Sequence, residues 1–287
     1  MKKIPVRKIS SPANEPVITG RFRIRSVNSI LNGRDMVQDL HRHDFFFILA
    51  LQKGKGRHEI DFTSFNIKDN SVFILRPGQV HQLKLKKGAK GFLLEFDNAF
   101  YQPTTRSANQ RLIKASNKNY CTIKETRFKK LMNILDHIYH EYTEKLDGYN
   151  DSIKSHLDIF FIEINRESKN EKPFSEINNS YKQQRFEEFI DLVEKNISSK
   201  KQVSQYADQM NLSVYQLNAI TNAMIGKPGS VIINEQIVLE AKRLLLATTN
   251  QVKDIADSLG YEDISYFIRY FKKHTGFSPE IFRRNFK

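Results

Sequence analysis

The apolar positions fall into two regimes with different periods. Between residues 20 and 100, short apolar or alternating runs are separated by turn signals. "FFFILAL" (45–51) is followed by "QKGKG", "RHEIDF" (57–62) by "TSFNIKDN", "SVFIL" (71–75) by "RPGQ" and "HQLKL" (81–85) by "KKGAK", before "GFLLEF" (91–96). Strands at such close spacing predict a β-sandwich or barrel. Near residue 124 the period becomes helical. Phe128, Leu131, Leu135, Ile138 and Tyr142 recur on one face, while Lys129, Lys130, Asp136 and Glu144 fall elsewhere, which predicts a helix over about 125–145. A second helix is expected from about Asp151 to Glu167, with Ile153, Leu157, Phe160, Phe161 and Ile164 inward. The polar stretch "NRESKNEKPFSEINNSYKQQ" (165–184) contains Pro173 and reads as a linker. Everything after it reads as helical.

The helical segment repeats itself. "QVSQYADQMNLS" (202–213) and "QVKDIADSLGYE" (251–262) share Gln, Val, Ala and Asp at an offset of 49. The helices that follow align at an offset of 50: Ser213 with Asp263, Leu217 with Phe267, Ile220 with Tyr270, Gly226 with Gly276. Each copy is a short helix, a tight turn and a second helix. Ala207 and Ala256 are small where the two helices cross. The turn needs a residue that tolerates positive φ, which Gly260 and Asn211 supply. Ser213 and Asp263 are suited to cap the second helices. This is a helix-turn-helix pattern, given twice.

The stretch "YFIRYFKKHTGFSP" (266–279) shows the division of labour in such a second helix. Phe267, Phe271 and His274 or Thr275 fall on one face and are expected to pack on the preceding helix, while Ser265, Ile268, Arg269, Lys272 and Lys273 fall on the other. Gly276 ends the helix and Pro279 opens the next. A recognition helix must be anchored by bulky apolar groups and present donors to a major groove. Arg reads guanine bidentately, and Lys neutralises phosphate.

Composition narrows the setting. A chain of 287 residues suits about two domains, and 39% apolar with 27% charged residues is ordinary for a globular protein. The longest apolar run is far short of the ~20 residues of a membrane span. The basic start "MKKIPVRKIS" is followed by no apolar segment of the kind a secretory signal has. Cys121 is the single cysteine, so no disulfide framework or cysteine metal cluster is expected. These features predict a cytoplasmic protein with no membrane association. The net charge of +14 favours an anionic partner, nucleic acid first. Residues 181–287 hold 15 Lys or Arg against 12 Asp or Glu, whereas 1–180 hold 31 against 20. Most of the excess therefore lies outside the helix-turn-helix segment and reads as a Lys-rich solvated surface.

"EAKRLLLAT" (240–248), "IADSLGY" (255–261), "SYFIRYFKKHTGFSP" (265–279) and "FRR" (282–284) resemble the AraC/XylS family of bacterial transcription regulators, over about residues 185–287. The resemblance implies a bundle of about seven helices. It also implies two recognition helices in successive major grooves, joined by a rigid linker helix. By position, Tyr215, Asn218, Ala219 and Asn222 of the first helix face DNA, as do Ser265, Ile268 and Arg269 of the second. Ala219, Asn222 and Ala223 stand where the second copy has Arg269, Lys272 and Lys273, positions at which the family usually keeps cations. The first helix is thus expected to read DNA through Tyr215, Gln216, Asn218 and apolar contact, which suits an A·T-rich half-site.

The N-terminal run "HRHDFFFILAL…GKGRHEIDF…NSVFILRPGQVHQLKL" resembles the cupin-like sensor domain of many family members, over about residues 20–100. Cupin enzymes hold a metal with His-x-His, a Glu about four residues on and a later His. His41, His43 and His81 match three of those positions, while the Glu slot falls in apolar "FFFIL". Three imidazoles suffice for zinc or iron with an open position. The other reading is that they cap strand ends or line a metal-free pocket. The second reading is preferred, so no metal and no other cofactor is assigned. His41, His43, Arg76 and His81 are taken as an effector pocket, with Arg42, Arg57, His58 and Glu59 as nearby polar groups. The 125–145 helix resembles the dimerisation helix of the family. Its narrow stripe Phe128, Leu131, Leu135, Ile138 and Tyr142 suits a seam between two copies, with packing on its own barrel as the alternative.

The expected architecture is α+β in two domains. A cupin-like β-barrel with following helices occupies 1–168, a linker 169–184, and an all-α AraC-type DNA-binding domain with two helix-turn-helix motifs 185–287. The expected function is a sequence-specific, ligand-responsive, dimeric transcription regulator. Its expected partners are double-stranded DNA, a small-molecule effector, a second copy and RNA polymerase. No nucleophile constellation or phosphate loop is present, so no enzyme activity is expected. The alternatives are a metal-dependent cupin enzyme fused to a DNA-binding module, and a constitutive regulator whose barrel only dimerises.

Overall fold

The computed structural model describes residues 5–9, 20–103, 105–167 and 180–286. These residues form two compact units, one before and one after the segment 168–179. That segment, which holds most of the predicted linker, lies outside the described residues.

The first unit is built on strands β1 (Val6–Arg7), β2 (Phe22–Ser26), β3 (Met36–His43), β4 (Phe46–Lys53), β5 (Gly56–Ile60), β6 (Thr63–Ile67), β7 (Ser71–Leu75), β8 (Val80–Leu85), β9 (Lys90–Phe96) and β10 (Tyr120–Thr122). They make two five-stranded sheets, ordered β1-β3-β8-β5-β6 and β10-β7-β4-β9-β2. Between them run α1 (Val27–Leu31) and α2 (Arg106–Ser116), followed by α3 (Glu125–Glu144) and α4 (Tyr149–Glu167).

Strand β4 explains the uniformly apolar "FFFILAL". Its alternate residues Phe47, Leu49 and Leu51 meet Phe73, Leu83, Leu85 and Leu93 in a core shared by the two sheets. Phe46, Ile48 and Ala50 face the other way, into a core shared with α2, α3 and α4. A strand buried on both faces loses the alternation of a half-buried one. Both faces must then be covered, and the helices cover the second.

That requirement overturns the predicted dimer seam. Phe128, Leu131, Leu135 and Ile138 are each 1% exposed or less. They pack against the sheet together with Ile153, Leu157 and Phe160 of α4, and the half-buried Tyr142 sets its ring 5.5 Å from Phe22. The stripe is narrow because α3 and α4 share the sheet between them, not because it meets a second chain.

The structure corrects two further readings. "TSFNI" is strand β6 rather than a turn, and the two-residue turn before it is Asp61-Phe62, both at positive φ (44° and 66°). Helix α5 starts at Ser180, so residues 180–184 of the predicted linker are helical.

The second unit holds α5 (Ser180–Asn196), α6 (Val203–Gln209), α7 (Val214–Ile225), α8 (Gly229–Ala247), α9 (Val252–Ser258), α10 (Ile264–Thr275) and α11 (Pro279–Phe286). Helices α6–α7 and α9–α10 are the two repeats. Ala207 and Ala256 are wholly buried, as are Phe267 and Phe271. Asn211 and Gly260 take positive φ (53° and 74°) in the two turns. At Gly260 a Cβ would stand 1.7 Å from the carbonyl oxygen of Ser198, so space as well as φ requires glycine there. Helix α8 packs on both α7 and α10. Arg283 donates to the carbonyls of Leu245 (3.0 Å) and Asn250 (2.6 Å), tying α11 to the end of α8.

Leu131→Asp combined with Leu135→Asp is expected to abolish the cooperative unfolding transition of the first unit. Each change buries an unpaired carboxylate and empties packed volume, at about 3 kcal/mol or more, against a total stability of roughly 5–15 kcal/mol. Circular dichroism with light scattering reads the outcome. A folded variant with an altered oligomeric state would instead place the stripe at a seam.

Candidate nucleic-acid interface and histidine cluster

The first repeat shows what a helix start recruits. The Ser213 hydroxyl accepts the N–H of Gln216 (3.1 Å), and Gln216 Oε1 accepts the N–H of Ser213 (2.9 Å). This reciprocal cap satisfies two amides that have no partner within the helix. Asn218 Oδ1 accepts the N–H of Gly229 (2.9 Å) in the first turn of α8. Gln216 and Asn218 were expected to read bases, but the side-chain oxygens of both are engaged in holding the unit together. Sequence spacing could not show that the start of α8 lies against Asn218. The outward face of α7 is Tyr215, 83% exposed, with the exposed Ala219, Asn222 and Ala223.

The second repeat presents charge. Ser265, Arg269, Lys272 and Lys273 are exposed on α10, and Ile268 is half-buried. The Arg269 guanidinium lies 3.9 Å from the Asp263 carboxylate, with both side chains more than half exposed. Such a pair is screened by water and leaves the guanidinium available. Asp263 also accepts the N–H of Ser265 (2.7 Å), which fixes the start of α10.

A row of rings sets the rotation of α10, and sequence reasoning did not single it out. Tyr266, Tyr270 and His274 lie at i, i+4 and i+8, with Tyr270 centred 4.6 Å from His274 and 5.6 Å from Tyr261. The Tyr270 hydroxyl donates to Asn234 Oδ1 on α8 (2.9 Å). Burial pushes the Tyr261 phenol up to about 12, and raises Tyr270 as well, so both stay protonated donors.

In the first unit the structure brings the predicted histidines together. His41 and His43 alternate on β3, and His81 on β8 is the cross-strand partner of His41. His58, on the neighbouring β5, joins them. His43 Nε2 lies 2.7 Å from His81 Nε2, and His81 Nδ1 lies 2.8 Å from His58 Nε2. His41 Nδ1 donates to the Asp39 carbonyl (2.6 Å). All four are at most 5% exposed, against Phe45, Phe47 and Phe73. Burial holds the His43 and His58 imidazoles down to about 3 and lowers His41 and His81 too, so all four are neutral near pH 7.

This geometry corrects the expected effector pocket. Rings whose centres are 4.4–4.8 Å apart leave no room between them for an organic molecule. Arg76 stands in the turn before β8, where its backbone N–H donates to Gln79 Oε1 (2.8 Å). A cleft of about 440 Å³ opens elsewhere in the unit. It is lined by Asn28, Gln52, Lys90, Asn133 and Asp136, with Met132 and Phe92 as apolar wall. Burial raises the Asp136 carboxyl above its ordinary value.

Residues 32–157 match the family described as "AraC-like ligand binding domain", and residues 206–285 the family described as "Helix-turn-helix domain". The chain is 21% identical to "Uncharacterized HTH-type transcriptional regulator YfiF" of Bacillus subtilis (strain 168), over 86% of this chain and 79% of that one. It is 22% identical to "HTH-type transcriptional activator RhaR" of Mannheimia succiniciproducens, over 86% and 87%. The solved structure of unsaturated fatty acid-bound wild-type ToxT from Vibrio cholerae aligns with 91% of this chain and 94% of its own. The identity is 16% and the TM-score 0.41. Among the described residues no helix is long and apolar enough to cross a membrane.

Asn218→Ala is expected to cost the second unit about 1 kcal/mol, the usual value of a lost helix cap, while base preference stays unchanged. Urea unfolding and selection of bound sequences measure the two effects. A lost adenine preference at unchanged stability would return Asn218 to the DNA.

Proposed function

The chain belongs to the AraC family of transcription regulators, and we propose that its two helix-turn-helix motifs grip DNA unequally, in a dimer that answers to a small effector. The carrying observation is the contrast between α10, with Arg269, Lys272 and Lys273 exposed, and α7, with Tyr215, Ala219, Asn222 and Ala223 exposed. In this reading Arg269 reads a base edge in one major groove, and Lys272 and Lys273 neutralise phosphates beside it. In the next groove α7 acts by contact: Tyr215 and Ala219 meet thymine methyls, and Asn222 supplies the hydrogen bonds.

A second copy raises affinity by avidity, about 10²–10⁴-fold for well-matched spacing. The α3 stripe is occupied, so the dimer uses another surface of the first unit. The effector is a small polar molecule. The cleft lined by Lys90, Asn133 and Asp136 offers it both charge signs and an apolar wall, which the histidine cluster does not. Relatives described as transcriptional activators support RNA polymerase as a further partner. With DNA as its partner, the proposed setting is the cytoplasm and the proposed role is regulation rather than catalysis.

The test uses fragments of genomic DNA retained by the full-length protein. Arg269→Ala is expected to cost about 1–3 kcal/mol in binding and to relax specificity in one half-site only. Ala219→Arg is expected to raise affinity mainly through the other. Lys272→Ala is expected to weaken all sequences alike and to lower the salt slope by about 1. Fluorescence anisotropy at several salt concentrations measures all three. Equal losses across both half-sites from Arg269→Ala would refute the unequal grip.

A further inference from the structure

We propose that His41, His43 and His81 bind one divalent transition-metal ion of the zinc class through their Nε2 atoms, with His58 as the residue that positions His81. The Asp39 carbonyl is a pure acceptor, so the His41 Nδ1 facing it at 2.6 Å must carry the proton. The lone pair of His41 is therefore on Nε2. That atom is buried and has no hydrogen-bond partner among the described residues. A buried acceptor left open is uncommon, and it asks for a ligand.

His81 Nε2 supplies a second lone pair; it accepts the proton of His43 Nε2, and an incoming ion displaces that proton to Nδ1 as the His43 ring changes tautomer. One candidate ligand atom from each of His41, His43 and His81 lies within 4.8 Å of the others. An ion bonded at about 2.0–2.1 Å to each would set tetrahedral nitrogens about 3.4 Å apart. The present separations bracket that value, so side-chain shifts of about an ångström suffice. When His81 Nδ1–H donates to His58 Nε2, the tautomer leaves His81 Nε2 unprotonated and oriented. Such a partner behind a ligating imidazole is the common arrangement at metal centres. The strands hold the set in place: His41 and His81 are paired across β3 and β8, beside a register shift between Gln38 and His41.

The donor set selects the ion. Three neutral imidazoles with no carboxylate or thiolate suit zinc, nickel, copper or iron and do not suit magnesium or calcium. Apolar "FFFIL" on and before β4 adds no fourth ligand, so one position stays open, to be filled by water or a small anion. The sequence expectation was a metal-free pocket, and spacing had no means of locating the open His41 Nε2.

The competing account is a dry chain of imidazole–imidazole hydrogen bonds. The full-length protein, stripped with a chelator, separates the two. Calorimetric titration with zinc is expected to give one ion per chain, and cobalt is expected to give the intense visible bands of low coordination number. X-ray absorption of the zinc form is expected to show three imidazole nitrogens at about 2.0–2.1 Å. His43→Gln and His81→Gln should each abolish stoichiometric binding, and His58→Gln should weaken it about 10–100-fold. Saturating zinc should raise the melting temperature of the wild type and leave His81→Gln unmoved. No stoichiometric binding by the stripped wild type overturns the proposal. So does an ion with an oxygen-dominated shell, or one that folded His81→Gln retains. If His81→Gln fails to fold, the wild-type absorption spectrum decides alone. None of these readouts involves DNA, so they stand apart from the unequal grip proposed above.

Discussion

Strand β4 must be covered on both faces, and the first unit is arranged around that demand. One face is closed by the opposite sheet, where Phe47, Leu49 and Leu51 meet Leu83 and Leu85. The other is closed by α3 and α4 through Leu131, Leu135, Leu157 and Phe160. Fully burying a Leu, Ile or Phe side chain stabilises by roughly 1.5–3 kcal/mol, so a strand with five such side chains buried dominates the local energetics. The histidines lie at the edge of the same inter-sheet core. Their imidazoles fill a layer that would otherwise be apolar, which is why they are dry and neutral.

A comparable constraint shapes the second unit. A helix offers to a partner only what its anchored face and its ends leave over. Phe267, Phe271 and the Tyr270–Asn234 hydrogen bond fix the rotation of α10, so Ser265, Arg269, Lys272 and Lys273 remain outside, with Tyr266 and His274 beside them. In α7, Leu217 and Ile220 are buried, while Gln216 and Asn218 satisfy amides at two helix starts. Tyr215, Ala219, Asn222 and Ala223, with no cation among them, are left over on the outward face. The difference between the motifs is therefore larger in the structure than in the missing cations alone, since two polar groups of α7 are also withdrawn.

Local signals carried much of this and tertiary ones did not. The runs of β4, β7, β8 and β9 were legible because apolar stretches between Gly and Pro turns leave few other conformations. The helix-turn-helix repeat was legible because Gly260, Asn211, Ser213 and Asp263 are chosen by backbone needs that act within a few residues. Strand β6 was not legible. It is an edge strand whose Thr63, Ser64 and Asn66 are polar, and its turn, Asp61-Phe62, lacks the glycine that usually marks one. The stripe on α3 was seen but misassigned, because periodicity reports that a face is buried and not against what. The candidates His41, His43 and His81 were readable from spacing. The part played by His58 depends on the register of β5 beside β8, which sets its Nε2 2.8 Å from His81.

The asymmetry of the motifs bears on how the protein selects DNA. A bidentate Arg–guanine contact is worth about 1–3 kcal/mol of discrimination, while contact with a thymine methyl supplies less direction. In the proposed unequal grip, a module with one such helix and a second without cations would hold its register through α10 and tolerate variation under α7. In the dimer proposed above, joining two modules would add affinity without adding base contacts, and the strict part of the site would stay short. The charge distribution is consistent with that economy. Residues 181–287 carry a net +3, which gives weak non-specific attraction to phosphate, so base reading by α10 as proposed would have less background to overcome.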